Sequence, residues 1–464
     1  MKGFFSHINK RQGTWLISSL MVFQLFWLIH FHEYHNGKWP WPFVSDGLGY
    51  YSYLPALFVY DDTDLDWEWT LDEEVRQYNY PPVIEYFGPY RSDETGKWVM
   101  KYPPGLAIVH TPMFLVAHLL AETVGHKANG FTNPYRLAGG LTAIFWMAIG
   151  LIFIWKFVRL YYDPPAAVLT VLTYYFGTNY FHYALVEPGM THLYNFAAIA
   201  AVMYCTAQWH RHGRWKHMIG LAIALGFVAL LRPTNAVIAL VPILWGINNF
   251  KAKIAHLQQN WLQIAGGVLL CFVVMSPLLL YWKIWGGSWI FASYGHEQFY
   301  FDMPMIGEVL FGYHKGWFVY TPLMLLAFVG LFWVKKNRPE GFWAILIYLI
   351  VNIYIVSCWW SWWYGGSFGM RALVESSAVL AIGFAAFFHW CSQIRWRYAI
   401  LGIVLLAGMG LNVIQTFQYK NFIIHPAEMN KEVYWDVFLR THMPESERFH
   451  IHKNLTSPDS LRFK

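Results

Sequence analysis

Residues 13–31 read GTWLISSLMVFQLFWLIHF, and shortly after comes Ser45-Asp46-Gly47-Leu48-Gly49-Tyr50-Tyr51. The first stretch is apolar and long enough to cross a bilayer as a helix. The second puts a carboxylate just past its end, among glycines and tyrosines. An ionisable group kept beside a bilayer needs a water-filled or protein-lined cavity, which makes Asp46 a functional candidate. A plainer reading has Asp46 cap a helix that begins near Leu48.

Similar apolar runs recur along the chain. Of 464 residues, 56% are hydrophobic and only 13% are charged, against about 25% charged in soluble domains. Such a chain is an all-α polytopic membrane protein, because helices satisfy their own backbone in lipid. Many of the 26 Trp sit at the ends of apolar runs, where an interfacial belt belongs. Cys205, Cys271, Cys358 and Cys391 lie in or beside apolar segments without paired spacing, so neither a disulfide framework nor a zinc site is expected. The net charge of +6 is spread over short loops and gives no nucleic-acid signal. Lys2, Lys10 and Arg11 precede the first run without a small-residue cleavage site, so no cleavable signal peptide is expected.

Spans are predicted at 13–31, 135–155, 164–182, 190–208, 217–232, 234–249, 262–282, 317–334, 341–358, 372–390 and 398–417. The run 103–121 is ambiguous. Leaving it out puts Lys2/Lys10/Arg11, Lys156/Arg159, Arg211/Arg214/Lys216, Lys251/Lys253, Lys335/Lys336/Arg338 and Arg395/Arg397 on one side, a clean positive-inside pattern. Pro103-Pro104-Gly105 and Pro112 suit an interfacial or re-entrant helix there. The expectation is about 11 transmembrane helices, N-terminus inside, in a module over 1–417. It carries a first outer loop over 32–134 with juxtamembrane helices, a second over 283–316, and a short outer tail over 418–464. Loop 32–103 holds 13 acidic residues against 5 Lys/Arg, mostly a solvated face. Its run Asp61-Asp62-Thr63-Asp64-Leu65-Asp66 lacks the glycine and terminal glutamate of an EF-hand, so no metal is expected there.

That topology gathers six motifs on the outer face. They are Ser45–Tyr51, Lys101-Tyr102-Pro103-Pro104-Gly105, Glu187-Pro188-Gly189-Met190-Thr191-His192, Arg232-Pro233-Thr234-Asn235, Gly312–Trp317 with Lys315, and Trp363–Arg371. Singly, each has a bland explanation: a turn, a snorkelling cation or an aromatic belt. Together they bring Asp46, Glu187, His192, Lys101, Arg232, Lys315 and Arg371 to one membrane depth. Arginine clamps oxyanions with paired bonds, lysine acts as a point charge, and a carboxylate can take a proton from a hydroxyl.

These motifs resemble the C-type glycosyltransferase superfamily (GT-C), and within it the protein O-mannosyltransferases and the lipid A aminoarabinose transferases. The likeness rests on an Asp in the first outer loop, a Lys-x-Pro-Pro start to a juxtamembrane helix, a Glu-Pro-x-x-x-His turn and an Arg-Pro at a span end. It is best over 10–250. It implies a membrane glycosyltransferase with a polyprenyl-phosphate-linked sugar as donor. It implies Asp46 as the catalytic carboxylate, with Gly47 standing where O-mannosyltransferases carry a second acid. It implies Lys101 near the donor phosphate and Glu187 and His192 in support. Arg232, Arg371 and Lys315 are expected at the phosphate from their location, and Tyr50, Tyr102 and Trp363 beside sugar or acceptor. No cofactor and no metal are expected. The partners are the lipid bilayer and an acceptor that is a protein, glycolipid or polysaccharide. The expected site is the periplasmic face of a bacterial inner membrane. The rivals are a transporter or flippase of lipid-linked sugars, an oligosaccharide ligase or polymerase, and a non-catalytic scaffold. The transporter is disfavoured by the lack of internal duplication.

Overall fold

A computed structural model describes residues 10–76, 89–295, 297–453, 455 and 457–462. Lys2, residues 77–88 of the acidic loop, and Asn454 and Thr456 of the sequon Asn454-Leu455-Thr456 lie outside the described residues.

The chain is an integral membrane protein built almost wholly of helices. The long ones are α1 (Lys10–Tyr34), α3 (Gly105–Ala121), α4 (Asn133–Val158), α5 (Pro164–Gly177), α6 (Thr191–His212), α7 (Trp215–Leu231), α8 (Trp261–Tyr281), α9 (Met324–Asn337), α10 (Pro339–Cys358), α11 (Ala381–Ser392) and α12 (Arg395–Lys420); the short α2 is Asp46–Tyr51. A two-stranded antiparallel hairpin, β1 (Tyr90–Arg91) and β2 (Trp98–Val99), stands between α2 and α3.

Among the described residues, seven helical stretches are long and apolar enough to cross a membrane: Arg11–Tyr34, Gly105–Val124, Asn133–Val158, Pro233–Gln259, Trp261–Gly286, Pro339–Cys358 and Arg395–Lys420. Six of them coincide with segments read from the sequence. The seventh, Gly105–Val124, is the run that the charge pattern had laid along the interface. Its Pro112 does not interrupt the helix, as neighbouring helices allow in apolar surroundings.

Three other predicted spans, and one of those six, come out shorter or broken. The segment 164–182 ends at Gly177 and resumes as Tyr180–Leu185. The segment 317–334 breaks at Thr321-Pro322, so that α9 starts at Met324. The stretch after Arg232 runs as 3-10 turns before Leu240–Leu244, then turns at Gly246 with φ 78°. The segment 372–390 opens as 3-10 turns and becomes α-helical only at Ala381. Irregular backbone at membrane depth is tolerated where it is buried or lines a cavity, and two of these breaks border the site below.

Helix α4 is central, with 61% of its apolar window buried, whereas α1 and α8 bury 22% and 17% and face outward. Helices α6 and α7 pack on each other and on α4 and α8 respectively, and α9 packs on α11. The tail after α12 folds back and buries Ile423, Ile424, Met429, Val433 and Val437 against Tyr320 and Phe368. It thereby braces the loop that leads to Arg371.

Candidate functional site

Asp46 does not cap a helix. Helix α2 begins at Asp46 itself, and Ser45 before it sits at φ 52°, ψ −131° with no side-chain cap bond. The carboxylate is spent elsewhere. Arg371 Nη2 donates to its Oδ2 at 2.7 Å and the Tyr102 hydroxyl donates to its Oδ1 at 2.8 Å. Burial by itself would raise the Asp46 pKa, but the Arg371 charge and the Tyr102 hydrogen bond outweigh it and hold the carboxyl below its usual value. Arg371 also keeps a buried Nη1 without a hydrogen-bond partner among the described residues.

The neighbouring glycine explains how Tyr102 gets there. A Cβ on Gly49 would lie 2.3 Å from the Tyr102 ring, so only glycine lets that ring cross α2. Gly49→Ala is expected to push Tyr102 off Asp46. Any activity that uses the Asp46 carboxylate should fall at least about tenfold with little loss of protein, the scale of one hydrogen bond to a charged group. Kinetics of this variant beside Tyr102→Phe check it: equal losses support the contact, and an unaffected Gly49→Ala refutes it.

Lys101 is carried by a segment pinned at several points. Met100 N–H donates to the Tyr281 hydroxyl at 2.8 Å, Ser293 Oγ donates to the Lys101 carbonyl at 3.0 Å, and the Tyr53 hydroxyl donates to the Tyr102 carbonyl at 2.6 Å. Lys101 Nζ meets Glu297 Oε1 at 3.0 Å, and Trp360 Nε1 donates to Glu297 Oε2 at 3.0 Å.

Arg232 ends α7. Proline after it disfavours α-helix, and Arg232 is extended at φ −156°, ψ 100°. Its guanidinium lies over the Tyr364 ring at 5.6 Å and reaches Glu375 Oε1 at 3.3 Å. Glu375 is fully buried. The same Oε1 accepts from Asn235 Nδ2 at 2.9 Å, and Oε2 pairs with His192 Nδ1 at 2.8 Å. Sequence reasoning did not single out Glu375. The signal was there: a lone acid in the apolar segment 372–390, the kind of residue that is costly to keep and so marks a site.

These groups share one cavity of about 450 Å³, lined by Asp46, Tyr50, Lys101, Tyr102, His192, Arg232 and Arg371, with aromatic walls that include Trp359, Trp360 and Tyr364. This volume is in the range of small-molecule sites. A wider groove of about 980 Å³ meets it at Phe291, Tyr294, Glu297 and Trp360 and runs past β1.

Three expected residues are elsewhere. Lys315 is buried behind the wall, where its ammonium donates to the carbonyls of Ser367 and Pro426. Burial, with Arg371 nearby, pushes its pKa down to about 7 against a smaller opposing pull from Glu187. It ties the Arg371 loop to the tail and does not line the cavity, so its expected place at the phosphate is corrected. Glu187 faces the buried His182, with Oε1 3.5 Å from Nε2, while Met190, Thr191 and His192 of its own turn reach the cavity. Trp363 packs beside the wall that Trp360 and Tyr364 form. The Pro188-Gly189 turn has a packing purpose: Gly189 N–H donates to the Pro42 carbonyl at 3.0 Å, and a Cβ there would sit 2.3 Å from that oxygen.

Comparison with known proteins fits this architecture. The family of dolichyl-phosphate-mannose-protein mannosyltransferases matches residues 133–282. No curated protein matches the chain in sequence. Among solved structures, the apo oligosaccharyltransferase of Archaeoglobus fulgidus superposes with a TM-score of 0.55 at 10% identity, over 98% of this chain and 61% of that one. AglB of the same organism, in complex with an inhibitory peptide and a dolichol-phosphate, gives 0.51 at 10% identity, over 97% and 60%. ArnT from Cupriavidus metallidurans, bound to undecaprenyl phosphate, gives 0.53 at 14% identity, over 89% and 69%. The chain thus spans about three fifths of the length of the archaeal enzymes. All three are GT-C proteins, and this chain has the GT-C fold.

Proposed function

With the GT-C fold as premise, we propose that this protein is a membrane glycosyltransferase that moves a sugar from a polyprenyl-phosphate carrier to an acceptor at the outer leaflet. The observation that carries this reading is the convergence of Asp46, Lys101, Arg232 and Arg371, far apart in sequence, on one cavity. The carrier class fits the undecaprenyl phosphate in the ArnT structure and the dolichol-phosphate in the AglB complex. The eleven-span topology, with the cavity on the periplasmic face of a bacterial inner membrane, belongs to the same proposal. It rests on the one-sided distribution of loop cations.

The reaction is an inverting displacement. An acceptor oxygen or nitrogen attacks the anomeric carbon, and the bond from that carbon to the phosphate oxygen breaks. The phosphate leaves with the electron pair, and Asp46 orients the nucleophile and accepts its proton. Lys101, Arg232 and Arg371 face the charge that develops on the leaving phosphate, where fixed donors stabilise a transition state most. Each already holds a carboxylate, so none needs to reorganise from bulk water. Tyr50, Tyr102 and His192 border the space left for sugar and acceptor. Phosphate leaves without being protonated, so a second carboxylate acting as acid is not needed.

A deletion strain tests the reading. Mass spectrometry of its glycolipids, glycoproteins and polysaccharides should find one sugar missing from one product, and the corresponding polyprenyl-phosphate sugar accumulated. An unchanged glycan profile with an unchanged carrier pool contradicts it.

A further inference from the structure

The cavity is electrically balanced before anything binds. Its three cations each face a carboxylate: Arg371 meets Asp46 at 2.7 Å, Lys101 meets Glu297 at 3.0 Å, and Arg232 meets Glu375 at 3.3 Å. The proposed reaction disturbs that balance. A sugar phosphodiester carries one negative charge, and the free lipid phosphate it leaves behind carries about 1.5 to 2 near neutral pH. The acceptor loses a proton in the same step. One added negative charge and one proton therefore have to be housed together in a largely desolvated space, where an uncompensated charge is costly.

Among the described residues lining the cavity, His192 is the one histidine. It is also the one wall group whose ordinary pKa lets it gain a proton near neutrality. Its geometry suits the task. Nδ1 points at the buried Glu375 Oε2, 2.8 Å away, behind the wall. That contact makes Nδ1 the protonated nitrogen of the neutral ring and leaves Nε2 for the cavity. A buried carboxylate placed so fixes the tautomer and stabilises the imidazolium once formed. The other groups facing the ring are the Arg232 and Arg371 guanidiniums and the Tyr183 ring, the last at a centroid distance of 5.0 Å. An incoming phosphate answers the charge of those two cations.

We propose that His192, positioned by Glu375, is the final seat of the proton released by the acceptor. Asp46 takes that proton from the nucleophile and His192 Nε2 holds it in the product complex, so the departing lipid phosphate and an imidazolium form together. Atoms and charge balance with no further reactant: one proton leaves the acceptor, one reaches His192, and the electron pair stays on the phosphate oxygen. The inference rests on the proposed carrier chemistry and extends it. Binding of the free lipid phosphate becomes coupled to proton uptake at one named residue.

Undecaprenyl phosphate is the probe. Calorimetric titration of the purified full chain in micelles, at pH 7.5 in buffers of different ionisation enthalpy, counts protons taken up per lipid bound. The wild type should take up close to one proton more than His192→Gln, because ionisation of the lipid itself enters both titrations alike. A second readout needs no variant. The ¹⁵N resonance of His192 Nε2 in the wild type should change from the unprotonated to the protonated position when lipid is added. Equal uptake by wild type and His192→Gln, or a His192 resonance that does not move on saturation, overturns the inference and leaves the glycosyltransferase reading standing. A wild-type protein that does not bind undecaprenyl phosphate overturns both.

Discussion

Asp46→Asn should remove transfer while leaving a folded, inserted protein. A positioned general base contributes roughly 10²–10⁴-fold, or about 3–5 kcal/mol of barrier at 1.36 kcal/mol per tenfold. The amide keeps the size of the carboxylate, and its oxygen can still accept from Tyr102. It cannot take a proton from an acceptor. It also gives up the charge that faces Arg371 at 2.7 Å, so some loss of stability is expected. The Asp46 side chain is 27% exposed to the cavity, which keeps that loss well below the cost of opening a dry ion pair. The measurement is the transfer rate in membranes, set beside protein abundance and thermal unfolding in detergent. Full activity in this variant ends the base assignment. A collapse in thermal stability that matches the activity loss would make Asp46 a structural tie instead.

Glu375→Ala should be the most damaging single change to the fold. Removing one partner from a buried charge cluster costs about 3–5 kcal/mol, because the charges left behind have no counterpart. Glu375 is fully buried and serves three donors at 2.8–3.3 Å. Its loss strands Arg232, Asn235 and His192 at the bottom of the cavity. The unfolding free energy in micelles, or the yield of folded protein from membranes, reads the effect. A variant within about 1 kcal/mol of the wild type, the ordinary range for point changes, contradicts this role. Adding Arg232→Met to Glu375→Ala should restore part of the lost stability, since contacting groups in one network do not add independently.

How much of this was visible in the chain differs from residue to residue. Asp46, Lys101, Arg232 and Arg371 were legible because each stands where an apolar run ends, and ends on one side of a membrane share a depth. Their pairings were not legible. Arg371 is 325 residues from Asp46 in the chain, and Lys101 is 196 from Glu297, so no local spacing announces either bond. Depth alone also misplaced Lys315, which has the right height and the wrong side of the loop 365–371. Glu375 went unremarked although it is the one acid in the apolar segment 372–390. The backbone turns as 3-10 helix there, and the carboxylate faces inward. The spans were read best where no proline falls inside the helix, as at α4, whose proline sits at its first turn, and α12. They were read worst around Pro233, Pro322 and Gly246, where the chain breaks its helices, the first of these breaks lying beside the site.

The most direct test of the central claim is a cryo-electron microscopy map of the protein with undecaprenyl phosphate. Phosphate density should lie in the cavity, at hydrogen-bond distance, about 3 Å, from at least two of Lys101, Arg232 and Arg371, with its prenyl chain leaving toward the bilayer and the Asp46 carboxylate across from it. Phosphate bound outside that cavity, or a saturated sample whose cavity stays empty, contradicts the account.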